Sequence, residues 1–291
     1  MALIAPGSEV HTVGSLAGSY SNFTHVVEAV DAGGTLFRIV TRRYAAHGNF
    51  DRGEKARREY RTLELLRLHG IHVPTPRILD DRGLVLGSPG IVTDYVPGEI
   101  IESPEDPVAW ARALAKMLAR IHRVPCDAEA QSFLLHSNDQ HLWFLRDGRV
   151  PDYVVAYRGG EDVWRMVHSM QLDLRLVPPG LVHTDYWPGN VLWDAGRISA
   201  VVDWEEAGYG DPGADVGYAR MNLILSGLDE AADEFLRIYE NETGAEVANL
   251  GFWELAASVR PMIDPVDWNI TQSPGSDIFA RFVADAMARC R

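Results

Sequence analysis

The chain has 291 residues, 46% of them hydrophobic and 23% charged, with a formal net charge of −14. That balance belongs to a chain that buries a sizeable core and faces water, and no apolar run approaches the roughly 20 residues of a membrane span. Residues 1–97 carry 11 basic against 10 acidic side chains and residues 98–291 carry 16 against 31, so the acidic remainder excludes nucleic acid as an expected partner and suits a cation.

The N-terminal MALIAPGSEVHTVG lacks the basic start and long apolar core of a signal peptide. Thr12 onward reads as strand, a Gly/Ser turn through Gly18-Ser19-Tyr20-Ser21-Asn22, then a strand over Phe23–Val30. Asp31-Ala32-Gly33-Gly34 is a hairpin turn, and Leu36–Val40 form the next strand. Ala56, Tyr60, Leu63 and Leu66 recur at helical spacing between Arg52 and His69, where Gly70 and then Pro74 and Pro76 stop the helix. Two further strands are predicted at Gly83–Leu86 and Gly90–Tyr95.

Val96-Pro97-Gly98 reads as a connector, and beyond it the chain turns helical. Ser103-Pro104-Glu105-Asp106 carries a capping Ser and a Pro in first helical position, with a helix predicted from there to about His122. Helical patterns recur at Asp162–Leu174, at Ala214–Leu225 and in the last seventy or so residues. The two cysteines, Cys126 and Cys290, stand in no metal-ligand spacing, which points to a reducing, cytoplasmic setting without a disulfide framework. The pattern predicts an α+β chain of two parts: residues 1–96, a small antiparallel sheet with one main helix, and residues 97–291, larger and mostly helical.

One stretch interrupts the helical part. LVHTDYWPGNVLWDAGRISAVVDWEEAGYGDP places two short strands, Val191–Trp193 and Ile198–Val202, around the turn Asp194-Ala195-Gly196-Arg197. Asp185 and Asn190 lie before the first strand and Asp203 just after the second, so the hairpin is expected to bring these groups to one edge. Ionised carboxylates beside apolar strands are costly without a partner. An amide and carboxylates make a hard oxygen site that suits Mg²⁺, with Asn190 and Asp203 as ligands, while Asp185 is placed to accept a proton from a hydroxyl.

HTDYWPGNVLWD followed by VVDWEEAGYGDPGADV resembles the aminoglycoside phosphotransferase and choline kinase family, relatives of the protein kinases. The resemblance implies a two-lobed protein-kinase-like fold, with residues 1–96 as nucleotide lobe and 97–291 as helical lobe. It also implies that Asp185 is the catalytic base, that Asn190 and Asp203 hold Mg²⁺, and that His183 buttresses the loop. Asp211 and Asp215 match the downstream Asp-Pro-x-x-Asp, where Asp215 is expected to fix loops. Upstream, Ser19, Tyr20, Ser21 and Asn22 look like the loop over the nucleotide phosphates. Glu59 matches the helix glutamate that pairs with a basic strand residue, and Asp94, Tyr95 and Val96 resemble the segment whose backbone meets adenine. His122 ends a helix as a core or capping histidine. The strand lysine of the family is missing here. Thr41-Arg42-Arg43 occupies its place, as in a branch of the family with Arg-Arg, and Arg42 fits the lysine position best.

The implied activity is transfer of the γ-phosphoryl of ATP or GTP to a hydroxyl of a small, cationic acceptor such as an aminoglycoside. Candidate acceptor residues are Glu205, Glu206, Asp264 and Asp267 with the aromatics Tyr209 and Trp268, since acid and aromatic faces together hold ammonium groups. Other readings remain open at this point: a choline-like amine, a sugar or a macrolide as acceptor, or a nucleotide-binding pseudokinase.

Overall fold

Three strands near the N-terminus fold on one another in the computed structural model, which describes residues 3–16, 22–46 and 51–290. These are β1 (Glu9–Ser15), β2 (Asn22–Val30) and β3 (Leu36–Tyr44), followed by α1 (Arg52–Leu68), β4 (Pro76–Asp80), β5 (Gly90–Asp94) and β6 (Glu99–Ile100). Next come α2 (Pro107–His122), α3 (Ala128–Phe133), β7 (Leu135–His136), α4 (Ser137–His141), α5 (Asp152–Val155) and α6 (Gly160–Met170). The chain continues through β8 (Gly180–Val182), β9 (Val191–Asp194), β10 (Arg197–Val201) and β11 (Gly208–Gly210). It ends on α7 (Gly213–Leu225), α8 (Asp229–Thr243), α9 (Leu250–Ile263) and α10 (Gly275–Arg289).

The chain divides into two units. The first gathers residues up to Ile100 together with Asp127–Leu134 and Val191–Ala207; the second holds Ile101–Cys126, Leu135–Asn190 and the chain from Gly208 onward. The units therefore interleave along the chain more than a boundary after residue 96 implies. The reason is local: β6 pairs with β9, Glu99 opposite Trp193, which ties the later hairpin to the first unit.

In the first unit β1 to β5 form an antiparallel sheet in the order β1-β2-β3-β5-β4. The β2–β3 turn is an Asx turn, with the Asp31 carboxylate accepting from the N–H of Gly33 and of Thr35, both at 2.9 Å. Val27, Ile39 and Val92 form the buried face of this sheet, covered by Phe37, Ile78 and Leu86. β3 runs four residues past the predicted end at Val40, so Arg42, Arg43 and Tyr44 are strand residues paired to β2 on one side, with Arg42 opposite Ile91 of β5 on the other. In α1 the residues Ala56, Glu59, Leu63 and Leu66 are all buried, one stripe at helical spacing. Asp51 caps its N-terminus by accepting from Gly53 and Glu54.

Gly83–Leu86, predicted as a strand, is a turn. The Asp80 carboxylate accepts the N–H groups of Leu84, Val85 and Leu86 at 2.7–2.8 Å, so these donors go to a side chain and not to a ladder. The start of α2 is also displaced. Asp106, not Ser103, is the cap, accepting from Ala109 N–H at 2.9 Å with Pro107 following it. Both sites carry a capping residue before Pro, and periodicity alone does not choose between them.

The second unit is helical around buried Phe235, Phe252, Trp253, Phe279 and Phe282. A buried ion pair, Arg220 to Glu254 at 2.9 Å, links α7 to α9, and Arg289 of α10 reaches the other Glu254 oxygen at 2.7 Å. Such pairs cost desolvation but are strongly destabilising to break singly, so they fix which helix faces meet. Among the described residues no helix is long and apolar enough to cross a membrane.

Candidate active site

In the second unit β8 delivers the chain into the His183–Asn190 loop. Thr184 sits at φ 70°, a conformation that costs a β-branched residue about 1–3 kcal/mol. Asp215, fully buried at the start of α7, holds it there. One Asp215 oxygen accepts the N–H of His183 at 2.7 Å, and the other accepts that of Thr184 at 2.8 Å. His122 Nε2 lies 3.1 Å from the same carboxylate while its Nδ1 meets the Tyr239 hydroxyl. Burial opposes ionisation of Asp215, but His122 above all, with His183 and His141, holds its carboxyl below the ordinary range. His183 is buried, and its Nδ1 accepts the N–H of Asp185 at 3.3 Å.

Asp185 itself is half-buried and its carboxylate is aimed by two side chains. Asn190 Nδ2 donates to its Oδ2 and to its backbone carbonyl, both at 2.9 Å. Arg260 of α9 donates to its Oδ1 at 2.9 Å and to the Thr184 carbonyl at 2.8 Å. The buried Tyr218 phenol lies within electrostatic reach of it, and burial pushes that phenol up. Asn190 thus commits its amide nitrogen to the loop and keeps its amide oxygen as the atom able to meet a cation. The short turn that carries it requires Gly189, where a Cβ would stand 2.3 Å from the Trp187 ring. Val191, directly after Asn190, pairs with Val201, two residues before Asp203.

In the first unit Asp203 follows β10 at φ 67°, with its side chain one third exposed. Arg42 donates to it at 2.5 Å, to Glu205 at 3.2 Å, and lies 3.6 Å from Glu59. Burial works against the Arg42 charge, but Asp203 and then Glu59 and Glu205 outweigh it and keep the guanidinium firmly protonated. Glu59 is the most distant of the three, almost fully buried and hydrogen-bonded by the Tyr44 hydroxyl. Burial pushes its carboxyl up to about 7 against the pull of Arg42. Arg43, next along the strand, turns to the other face and lies 5.6 Å over the Phe23 ring.

The remaining sequence-predicted residues are distributed as follows. Ser19, Tyr20 and Ser21 lie outside the described residues, while Asn22 donates to Glu205 at 2.7 Å. Glu205 is 7% exposed and is claimed on its other oxygen by Lys55 at 3.2 Å; burial favours its protonation, but Arg42 and Lys55 hold it below the ordinary range. Glu206 acts on Arg58, a buried α1 residue. Glu205, expected to meet an acceptor, is thus occupied with basic side chains of its own unit. Asp94 forms a two-pronged pair with Arg77 at 2.7 and 2.6 Å, Tyr95 lies under the Arg38 guanidinium at 4.2 Å, and their N–H groups go to Thr75 and Arg38. Val96 is the first residue there whose N–H has no partner among the described residues. Asp211 accepts from Trp253 and Tyr209 lies on β11. Asp264 and Asp267 are exposed in the turn after α9, and Trp268 stands edge-on to Tyr218 at 6.5 Å.

Among the described residues no group of three or more His, Cys, Asp or Glu is arranged to hold a metal ion. Mg²⁺ takes one or two protein oxygens and completes its shell with phosphate and water.

A model of the APH phosphotransferase enzyme family matches residues 14–250. The chain belongs to that family. Viomycin phosphotransferase of Streptomyces vinaceus is 29% identical over 139 residues, 44% of this chain and 48% of that protein. A mouse protein, acyl-CoA dehydrogenase family member 10, is 29% identical over 183 residues, 58% of this chain. The chain spans only 17% of the length of that relative. Among solved structures, macrolide 2′-phosphotransferase MphH of Brachybacterium faecium superposes with a TM-score of 0.64 at 21% identity, over 95% of this chain and 94% of its own. Choline kinase LicA of Streptococcus pneumoniae gives 0.61 at 17% identity, over 96% and 94%. At these identities the likeness is one of fold, and it carries the kinase-like α+β architecture expected from the sequence.

Several residues of the phosphotransferase site were missed by sequence reasoning. Tyr44 shares a strand face with Arg42 two residues earlier, and Lys55 stands one helical turn before Glu59, so both followed from periodicity once β3 was extended. Arg260, Tyr218 and the buried His141 carry no local signal. A cavity of about 310 Å³ in the second unit, lined by Trp143, Phe144, Asp147 and Tyr153 among others, contains none of the residues singled out from the sequence.

Proposed function

We propose that this phosphotransferase moves the γ-phosphoryl of ATP or GTP to a hydroxyl of a small cationic acceptor of the aminoglycoside class. Asp185 is the general base: it orients the acceptor hydroxyl and takes its proton as the oxygen bonds to phosphorus and the bond to the β-phosphate oxygen breaks. The observation that carries this reading is the Asp185 carboxylate, half-exposed yet held on both oxygens by Asn190 and Arg260, on a loop whose strained backbone is paid for by the buried Asp215.

Mg²⁺, held by the Asn190 amide oxygen and the Asp203 carboxylate, would neutralise charge on the transferring phosphates. Arg42 supplies the cation that lysine supplies elsewhere in the family, with Glu59 and Tyr44 holding it from behind. Asn22 borders the phosphates, and the backbone at Val96 meets the base of the nucleotide. The charge of −15 over residues 98–291, with the exposed Asp264 and Asp267 beside the half-buried Trp268, supports an acceptor bearing ammonium groups. The viomycin enzyme among its relatives points to the same broad class.

The test is release of ADP or GDP from purified protein with Mg²⁺, against aminoglycosides, viomycin, choline-like amines, sugars and macrolides. Acceptor-dependent release with aminoglycosides or viomycin supports the proposal. Release only with neutral sugars refutes the cationic acceptor, and nucleotide binding with no transfer to any compound favours a pseudokinase.

A further inference from the structure

Arg260 lies 75 residues beyond Asp185 and outside the motif that marks the site, yet it spans the two atoms on which the geometry of the base depends. One guanidinium arm donates to Asp185 Oδ1 at 2.9 Å and the other to the Thr184 carbonyl at 2.8 Å. A planar fork makes both bonds in one fixed orientation, which an ammonium on a flexible stem cannot reproduce. The fork is itself held. The Tyr218 ring lies 4.3 Å beneath the guanidinium carbon. Trp268 stands edge-on to that ring in turn. Pro261 follows Arg260 directly, inside the last turn of α9, and restricts the backbone from which the side chain departs.

We propose that Arg260 is the positioning residue of the catalytic base: it locks the Asp185 carboxylate and the Thr184 peptide into one rigid unit, and it works on kcat and not on nucleotide binding. This rests on the reading of Asp185 as the base. Three consequences distinguish it from a merely structural ion pair. Arg260 should act only through Asp185, so its removal should matter little once Asp185 is gone. Its effect should fall on the transfer step. A displaced base should be partly repaired by restoring the cation, less well when the fork geometry is lost.

The experiment measures ADP release from ATP and Mg²⁺, with viomycin, kanamycin and choline as acceptors and water as acceptor in their absence. Arg260→Ala should lower kcat about 10- to 100-fold, the scale of a small misplacement of a reacting group, with the nucleotide Kd unchanged within about twofold. Arg260→Lys should fall between wild type and Arg260→Ala, and millimolar methylguanidine should restore part of the Arg260→Ala activity. The double variant Asp185→Asn/Arg260→Ala should be no slower than Asp185→Asn. Unchanged kcat in Arg260→Ala, a parallel loss of nucleotide affinity, or additive losses in the double variant would overturn the proposal. If Arg260→Ala does not fold, Arg260→Lys, which keeps the charge and most of the packing, carries the same comparison. Full transfer by Asp185→Asn would strike down the base itself. Loss in Asp185→Asn together with full transfer in Arg260→Ala would strike down the positioning role alone.

Discussion

The acids of the two units are held by different kinds of partner. In the first unit Asp203, Glu205 and Glu59 gather around the side-chain cations Arg42 and Lys55. In the second, Asp215 is fixed by two backbone N–H groups and a histidine, and Asp185 by an amide and a guanidinium. Long basic side chains re-pair without moving the chain, whereas backbone donors cannot leave a carboxylate without refolding the loop. On the proposed reading, the first arrangement suits acids that exchange a protein cation for Mg²⁺ and phosphate as nucleotide arrives. The second fixes, through Asp215, the backbone of the loop that carries Asp185, which on the proposed reading keeps the base in place before nucleotide arrives.

The largest expected effect comes from removing the base. Asp185→Asn should retain the nucleotide Kd and lose at least about a hundredfold in kcat, read from ADP release beside a binding titration. Asp203→Ala should instead abolish metal-dependent turnover and flatten the Mg²⁺ titration of nucleotide binding; an unaltered titration would remove Asp203 from the metal. Asp215→Asn breaks the comparison at its other end. The amide places an NH2 donor where one carboxylate oxygen accepted an N–H, so the His183–Thr184 turn loses a bond and a buried donor is orphaned. A loss of about 2–4 kcal/mol in urea unfolding is expected, with transfer falling in the same variant. A stability unchanged from wild type would mean that Thr184 holds its conformation without Asp215.

What the sequence discloses follows the same division. The Asp31 turn, the α1 stripe and the β9–β10 hairpin are legible because their signals are local: turn chemistry, spacing of 3.6, and Ala195-Gly196 at φ 47° and 76° between apolar runs. The extension of β3 to Tyr44 was hidden because Thr-Arg-Arg-Tyr reads as polar, and its polarity serves the ion-pair cluster. Glu205 looked like an acid for an acceptor because its partner Lys55 lies 150 residues away on α1. Arg260 was invisible for the same reason. Long-range pairing of charges leaves no period and no motif, so a sequence shows which acids are costly without showing what relieves them.

The smallest effects set the two units against each other in a pH titration of stability. Burial pushes Glu59 in the first unit from an ordinary 4.5 to about 7. Burial, with the Arg260 charge, pushes His141 in the second from 6.5 down to about 4. The native state holds a proton on Glu59 more tightly than the unfolded chain does, so that contribution is complete below about pH 4.5 and is lost as pH rises through 7. The native state refuses a proton on His141, so its contribution is complete above pH 6.5 and is lost as pH falls toward 4. The slopes oppose one another between about pH 4.5 and 6.5 and partly cancel in the wild type. Each single variant uncovers the other slope. Relative to wild type, Glu59→Gln should gain stability from pH 4.5 to 7, and His141→Gln should gain it from pH 6.5 to 4.5, each on the order of 1–3 kcal/mol. Urea midpoints at pH 4.5, 5.5, 6.5 and 7.5 read both. Curves parallel to wild type would mean that neither burial shifts proton affinity, and slopes of the same sign would mean that the cation near Glu59 outweighs its burial after all.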